Sequence, residues 1–76
     1  MDTVIINGSN QFWSGRRWVG EYPDAAVLTH KAAVSVAAKL AEHCGTVTVI
    51  DGYGSNSAHY QDVDKNGEVL AEAWAS

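Results

Sequence analysis

Between Thr29 and Asp51 a helix-forming pattern and a strand-forming pattern stand back to back, and this pair decides how the rest of the chain can be arranged. Ala33, Val36, Ala37, Leu40, Ala41 and Cys44 recur at steps of three and four, which puts them on one face of a helix. Lys31, Ser35, Lys39 and Glu42 fall on the other face. Thr29 has the short hydroxyl side chain that accepts a hydrogen bond from a free N–H of a first turn, and Gly45, just after His43 and Cys44, can close the far end in a left-handed conformation. The spacing therefore predicts a helix over about residues 29–44 with a small-residue apolar face. Thr46, Val47, Thr48, Val49 and Ile50 follow, all β-branched, and their restricted χ1 rotation disfavours helix and suits a pleated, half-buried surface. This stretch reads as an interior strand.

The flanking segments supply further strands. Thr3-Val4-Ile5-Ile6 is a short β-branched run ended by Asn7-Gly8, a pair suited to a turn. Residues from Gly8 to Gly15 are small or polar apart from Phe12 and Trp13, which predicts a loop carrying two large aromatics. Arg16 to Tyr22 alternates as a second strand does, Pro23-Asp24 signals a turn, and Ala25-Ala26-Val27-Leu28 reads as a short third strand. Asp51 to Ala58 is rich in glycine and serine and reads as a flexible loop in which Tyr53 is the one bulky residue. Tyr60 to Val63 and Glu68 to Trp74 flank Asp64-Lys65-Asn66-Gly67, the pattern of a bulged hairpin. Val69, Leu70, Ala73 and Trp74 also share a helical face, so a short helix is the competing reading of that last segment.

Seventy-six residues, 46% hydrophobic and 18% charged, make one folded domain with a modest core, for which self-association as a homodimer is a natural supplement. One cysteine leaves no internal disulfide and no cysteine-built zinc site, and Cys44 on the apolar helix face reads as a core residue in a reducing cytoplasm. No apolar run reaches the roughly 18–20 residues that span a bilayer, and the acidic start at Asp2 lacks the form of a secretion signal.

The residues with chemical potential do not assemble into a catalytic motif. His30 and His43 lie near opposite ends of one helix, about 20 Å apart at 1.5 Å per residue, too far to share a metal. His43 suits the negative end of the helix dipole. His59 with Asp51, Asp62 and Asp64 lacks a recognisable ligand spacing, and His43 and Cys44, as helix neighbours, point about 100° apart. Gly52-Tyr53-Gly54 lacks the further glycines, the following helix and the basic residue of a phosphate loop. The expectation is a protein with no enzymatic activity, metal or cofactor.

Charge is more informative. Acids and bases balance from Met1 to Val49, whereas Asp51, Asp62, Asp64, Glu68 and Glu72 face only Lys65 in the remainder, so the net charge of −4 lies entirely in the last third. An acidic face of this kind complements a basic surface on a partner protein, such as one that handles nucleic acid, or else only keeps the protein in solution. Direct nucleic-acid binding is disfavoured, because Arg16-Arg17 is the single basic pair in a field that repels phosphate. Phe12, Trp13, Trp18 and Tyr22 cluster around those arginines, and tryptophan, tyrosine and arginine dominate interface hot spots. Trp18 is expected in the core under the helix; Trp13 fits the core and an interface equally well.

The layout from Thr3 to Asp51, strands, one helix and a β-branched strand, resembles that of many small α+β domains and of compact acidic proteins with which phages inhibit host defence, the anti-CRISPR proteins among them. The resemblance implies inhibition by binding, without catalysis, and assigns no residue a role. The sequence thus predicts an α+β fold, an antiparallel sheet of about four or five strands with one helix on a face. The leading functional expectation is a stoichiometric inhibitor that covers a basic, nucleic-acid-handling surface of a partner protein through Asp51, Asp62, Asp64, Glu68, Glu72, Trp13, Arg16 and Arg17. The alternative is an accessory or oligomeric domain with a solubilising acidic tail.

Overall fold

The computed structural model of the chain describes residues 2–74. Strands β1 (Asp2–Ile6), β2 (Phe12–Trp13) and β3 (Trp18–Val19) precede a 3-10 turn at Tyr22–Asp24, helix α1 (His30–Cys44) and strands β4 (Val47–Tyr53), β5 (His59–Val63) and β6 (Val69–Trp74). They form one six-stranded sheet in the order β3-β2-β1-β4-β5-β6, with every neighbouring pair antiparallel. The fold is α+β as expected, with one or two more strands than the sequence suggested.

α1 begins and ends where its residues dictate. The Thr29 hydroxyl accepts from the Ala32 N–H at 3.2 Å, and Gly45, at φ 87°, donates its N–H to the Ala41 carbonyl at 2.8 Å. Ala33, Ala37 and Ala41 are the buried residues of the helix, at a spacing of four that keeps them on one line. Val36 and Leu40 flank this line and are half-buried. Methyl-sized side chains let the helix lie close on Ile5, Val47, Val49 and Val63 of the sheet. Cys44, expected in this core, is exposed. It is the last helical residue, and the buried line has ended one turn earlier at Ala41.

β4 is the interior strand that its β-branched residues predicted, but it continues through Asp51, Gly52 and Tyr53, which were expected in a flexible loop. Between the pairs Asp2↔Tyr53 and Val4↔Ile50, β4 carries one residue more than β1, and Gly52 absorbs this bulge at φ 72°. The glycine that looked like a loop signal is a bulge inside a strand. The loop shrinks to residues 54–58, and Ala58 at its end is buried.

Three other expectations change. Phe12 and Trp13 form the short strand β2. Of the strand expected from Arg16 to Tyr22, only Trp18–Val19 is paired, because Pro23 fixes the backbone of the 3-10 turn that takes over at Tyr22. Ala25–Leu28 makes a single bridge, Leu28 to Thr3, at the end of β1 that β2 leaves uncovered by pairing only at Ile6. The last segment is the expected hairpin strand, with Gly67 at φ 79° and Asp64 Oδ1 accepting from the Asn66 and Glu68 N–H groups at 2.8 and 3.0 Å. Among the described residues no helix is long and apolar enough to cross a membrane.

Candidate partner-binding surface

The two groups of residues singled out from the sequence lie at opposite edges of the sheet. Trp13, Arg16 and Arg17 belong to β2 and the β2–β3 turn, whereas Asp62, Asp64, Glu68 and Glu72 lie on or beside β5 and β6. Five inter-strand steps separate the outer strands, about 24 Å at 4.8 Å per step. They form two surfaces.

At the β3 edge, Trp13 and Trp18 are cross-strand partners whose rings meet edge to face, 5.2 Å between centroids, and both are half-buried against the helix-side core. The turn between them is tied by Ser14, whose Oγ accepts from the Arg17 N–H at 3.1 Å. Arg16 and Arg17 are exposed and line a shallow hollow of about 720 Å³ with Ser14, Val19 and Asp24.

Asp51, the first acid of the acidic third, is engaged within the fold. It lies on the helix-covered face, where Oδ1 accepts from the Thr3 hydroxyl at 2.8 Å and Oδ2 from Gln61 Nε2 at 2.7 Å. His30 Nδ1 stands 2.8 Å from the same Oδ2, and because a carboxylate can only accept, Nδ1 carries the proton. Partial burial pushes the Asp51 carboxyl up, but the hydrogen bonds from Thr3 and Gln61 and the His30 contact outweigh it, and the net shift is downward. Gln61, only 4% exposed, is a buried polar side chain satisfied through this network. Nothing local in the sequence pointed to it, since its members are 10, 21 and 48 residues apart.

The remaining acids surround the β5–β6 hairpin, though not on one face. Asp62 accepts from the Thr48 hydroxyl at 2.7 Å on the face away from the helix, where its neighbour Tyr60 joins a second core. Glu72 is the cross-strand partner of Gln61, on the helix-side face, and Glu68 stands exposed at the turn. His59 stacks on Trp74, 4.1 Å between ring centroids and 8° from parallel. Its Nε2 lies 3.2 Å from Glu72 Oε1, off the line of a hydrogen bond, so that buried nitrogen has no directed partner. Among the described residues no group of three or more His, Cys, Asp or Glu side chains is placed to hold a metal ion.

The feature that the sequence reading missed is the exposure of β6. Every residue from Val69 to Trp74 is exposed, with Leu70 at 58% and Trp74 at 62%, although the segment is almost wholly apolar. An apolar segment within the acidic third was the available signal, but the sequence did not show that none of the described elements covers it. On the face away from the helix, Phe12, Tyr22 and Tyr53 pack ring on ring, with centroids 4.6 to 5.9 Å apart. Ile6, Asn10, Phe12, Ile50, Tyr53 and Tyr60 line a cleft of about 350 Å³ there. The Tyr22 hydroxyl donates to the Asp2 carboxylate, and this bond, with some desolvation and the nearby charge of Asp2, raises the phenol above its ordinary value.

No family model matches the sequence, and neither curated proteins nor solved structures give a match.

Proposed function

We propose that the protein is a non-catalytic protein-binding module that acts as a stoichiometric inhibitor, covering a basic surface of its partner with the β6 side of the sheet. The supporting observation is the exposure of β6 along its whole length, with Val69, Leu70 and Trp74 bared beside Glu68 and Glu72. Exposed aromatic and aliphatic side chains with a charged rim are the usual composition of a contact patch, in which the apolar centre supplies affinity and the charges set approach and specificity. Self-association into a homodimer would use this same edge and compete with the partner.

The test is a pull-down with mass spectrometry to name the partner, followed by association kinetics at several salt concentrations. Glu68→Lys with Glu72→Lys is the informative variant, because Asp62 and Asp64 hold Thr48 and the turn and their loss would disturb the fold. Association is expected to slow several-fold and to lose much of its salt dependence. Binding that is unchanged in this variant but lost in Trp13→Ala would place the interface at the β3 edge and overturn the proposal.

A further inference from the structure

Resting on that reading, we propose that β6 takes up an extended basic segment of the partner as a seventh strand, its free backbone groups pairing with those of the incoming chain. Among the described residues β6 has β5 on one side and no strand on the other, so alternate residues turn their N–H and C=O groups outward. The opposite edge, β3, is only two residues long, too short to template another strand.

β6 carries few of the usual guards of an exposed edge, its one charge being Glu72. Val69–Trp74 contains no lysine, arginine or proline. Its one irregularity, an extra residue on β6 between the pairs Asp62↔Ala71 and Val63↔Val69, lies at the turn end and leaves the register from Ala71 to Trp74 regular. Stacking on His59 holds Trp74 in place while leaving it 62% exposed, so the stem of a long cationic side chain on the added strand would find a fixed ring beside Glu72.

Charge selects the occupant. Glu68 and Glu72 are exposed along this edge, and Glu72, which meets His59 through Oε1, keeps about half of its side chain open to water. A second copy of this chain would bring its own glutamates to the seam and a further −4 of net charge, and like charges on paired strands oppose pairing. A segment alternating lysine or arginine with apolar residues sets its cations on the helix-side face, against Glu72 and the Trp74 ring, and its apolar side chains on the other face beside Ala71 and Ala73. This is strand addition, in which backbone hydrogen bonds give affinity and alternate side chains give specificity.

A synthetic peptide of alternating lysine and valine is the probe, with the same peptide N-methylated at alternate residues as the control, since methylation keeps the charge and removes the donors. Amide hydrogen exchange of the full-length protein is followed at low salt. The unmodified peptide is expected to slow exchange within Val69–Trp74 by about tenfold or more at saturation, while the methylated one leaves it unchanged. Equal binding of both peptides without added protection in β6 would overturn strand addition and leave a purely electrostatic contact, with the binding-module reading intact. Failure of both peptides to bind would also overturn it. So would a free protein that runs as a dimer in light scattering with β6 amides already protected, because the edge would then belong to a second copy.

Discussion

The two faces of the sheet are closed by different means. Under α1, Ile5, Val47, Val49 and Val63 meet a line of alanines, and all of these side chains are buried. On the other face Val4, Ile50 and Ala58 are covered by Phe12, Tyr22, Tyr53 and Tyr60, rings that remain partly open to water. The first face gains its stability from close approach of backbone to backbone, the second from the area of a few large side chains that lose only part of their hydration. A substitution of equal size should therefore weigh more under the helix.

The largest effect is expected from Ile5→Ala, which leaves a cavity where nothing can collapse and should destabilise by about 2–5 kcal/mol, enough to unfold much of a domain this small. Denaturant midpoints measure it. Ala37→Leu probes the close approach directly, because added methylenes there push the helix from the sheet, at a cost of about 1–3 kcal/mol. Phe12→Ala is expected to fall below the roughly 3–5 kcal/mol of a fully buried ring, since Phe12 is half-buried. If Phe12→Ala proves as damaging as Ile5→Ala, the contrast between the faces is wrong. Leu40→Ala, at the flank of the alanine line, should likewise fall short of a core leucine.

The smallest effect lies at the rim of the helix face. The Asp51 carboxyl is held below its ordinary value, so in the folded protein it stays ionised to lower pH than in the unfolded chain. Its contribution is therefore complete above the unfolded value of about 4 and is lost as the pH falls through the lower folded value. Asp51→Asn should flatten the acid limb of a stability curve below about pH 4. An acid limb identical in the two proteins would show that the network with Thr3, Gln61 and His30 adds nothing.

How much of this was legible in the sequence depends on the range of the interactions. The helix from its Thr29 cap to Gly45, the strand that follows, and the Asp64–Gly67 turn rest on neighbours in the chain, and each was readable from residue type and spacing. Gly52 misled because the same positive φ serves a loop and a bulge, and only the partner strand distinguishes them. Phe12–Trp13 is a strand because Ile6 and Val19 lie on either side of Phe12, and no local signal records that. The charge count located the acidic third but not its separation into a network at Asp51, a bonded pair at Asp62 and an exposed rim at Glu68 and Glu72. Nor does a count reveal which strand ends up outermost.

The pairing of β1 with β4 has a consequence for the order of assembly. α1 and the β4–β5–β6 meander are built from contacts between chain neighbours, but the seam between β1 and β4 joins residues as far apart as Asp2 and Tyr53, 51 positions along the chain. Closing so long a loop costs entropy before any contact offsets it, so the rate of folding is set by whether that seam is already present at the barrier. If the meander and helix form first, destabilising Ile5 would speed unfolding and leave the folding rate nearly unchanged, whereas destabilising Val49, which the helix and both neighbouring strands contact, would slow folding itself.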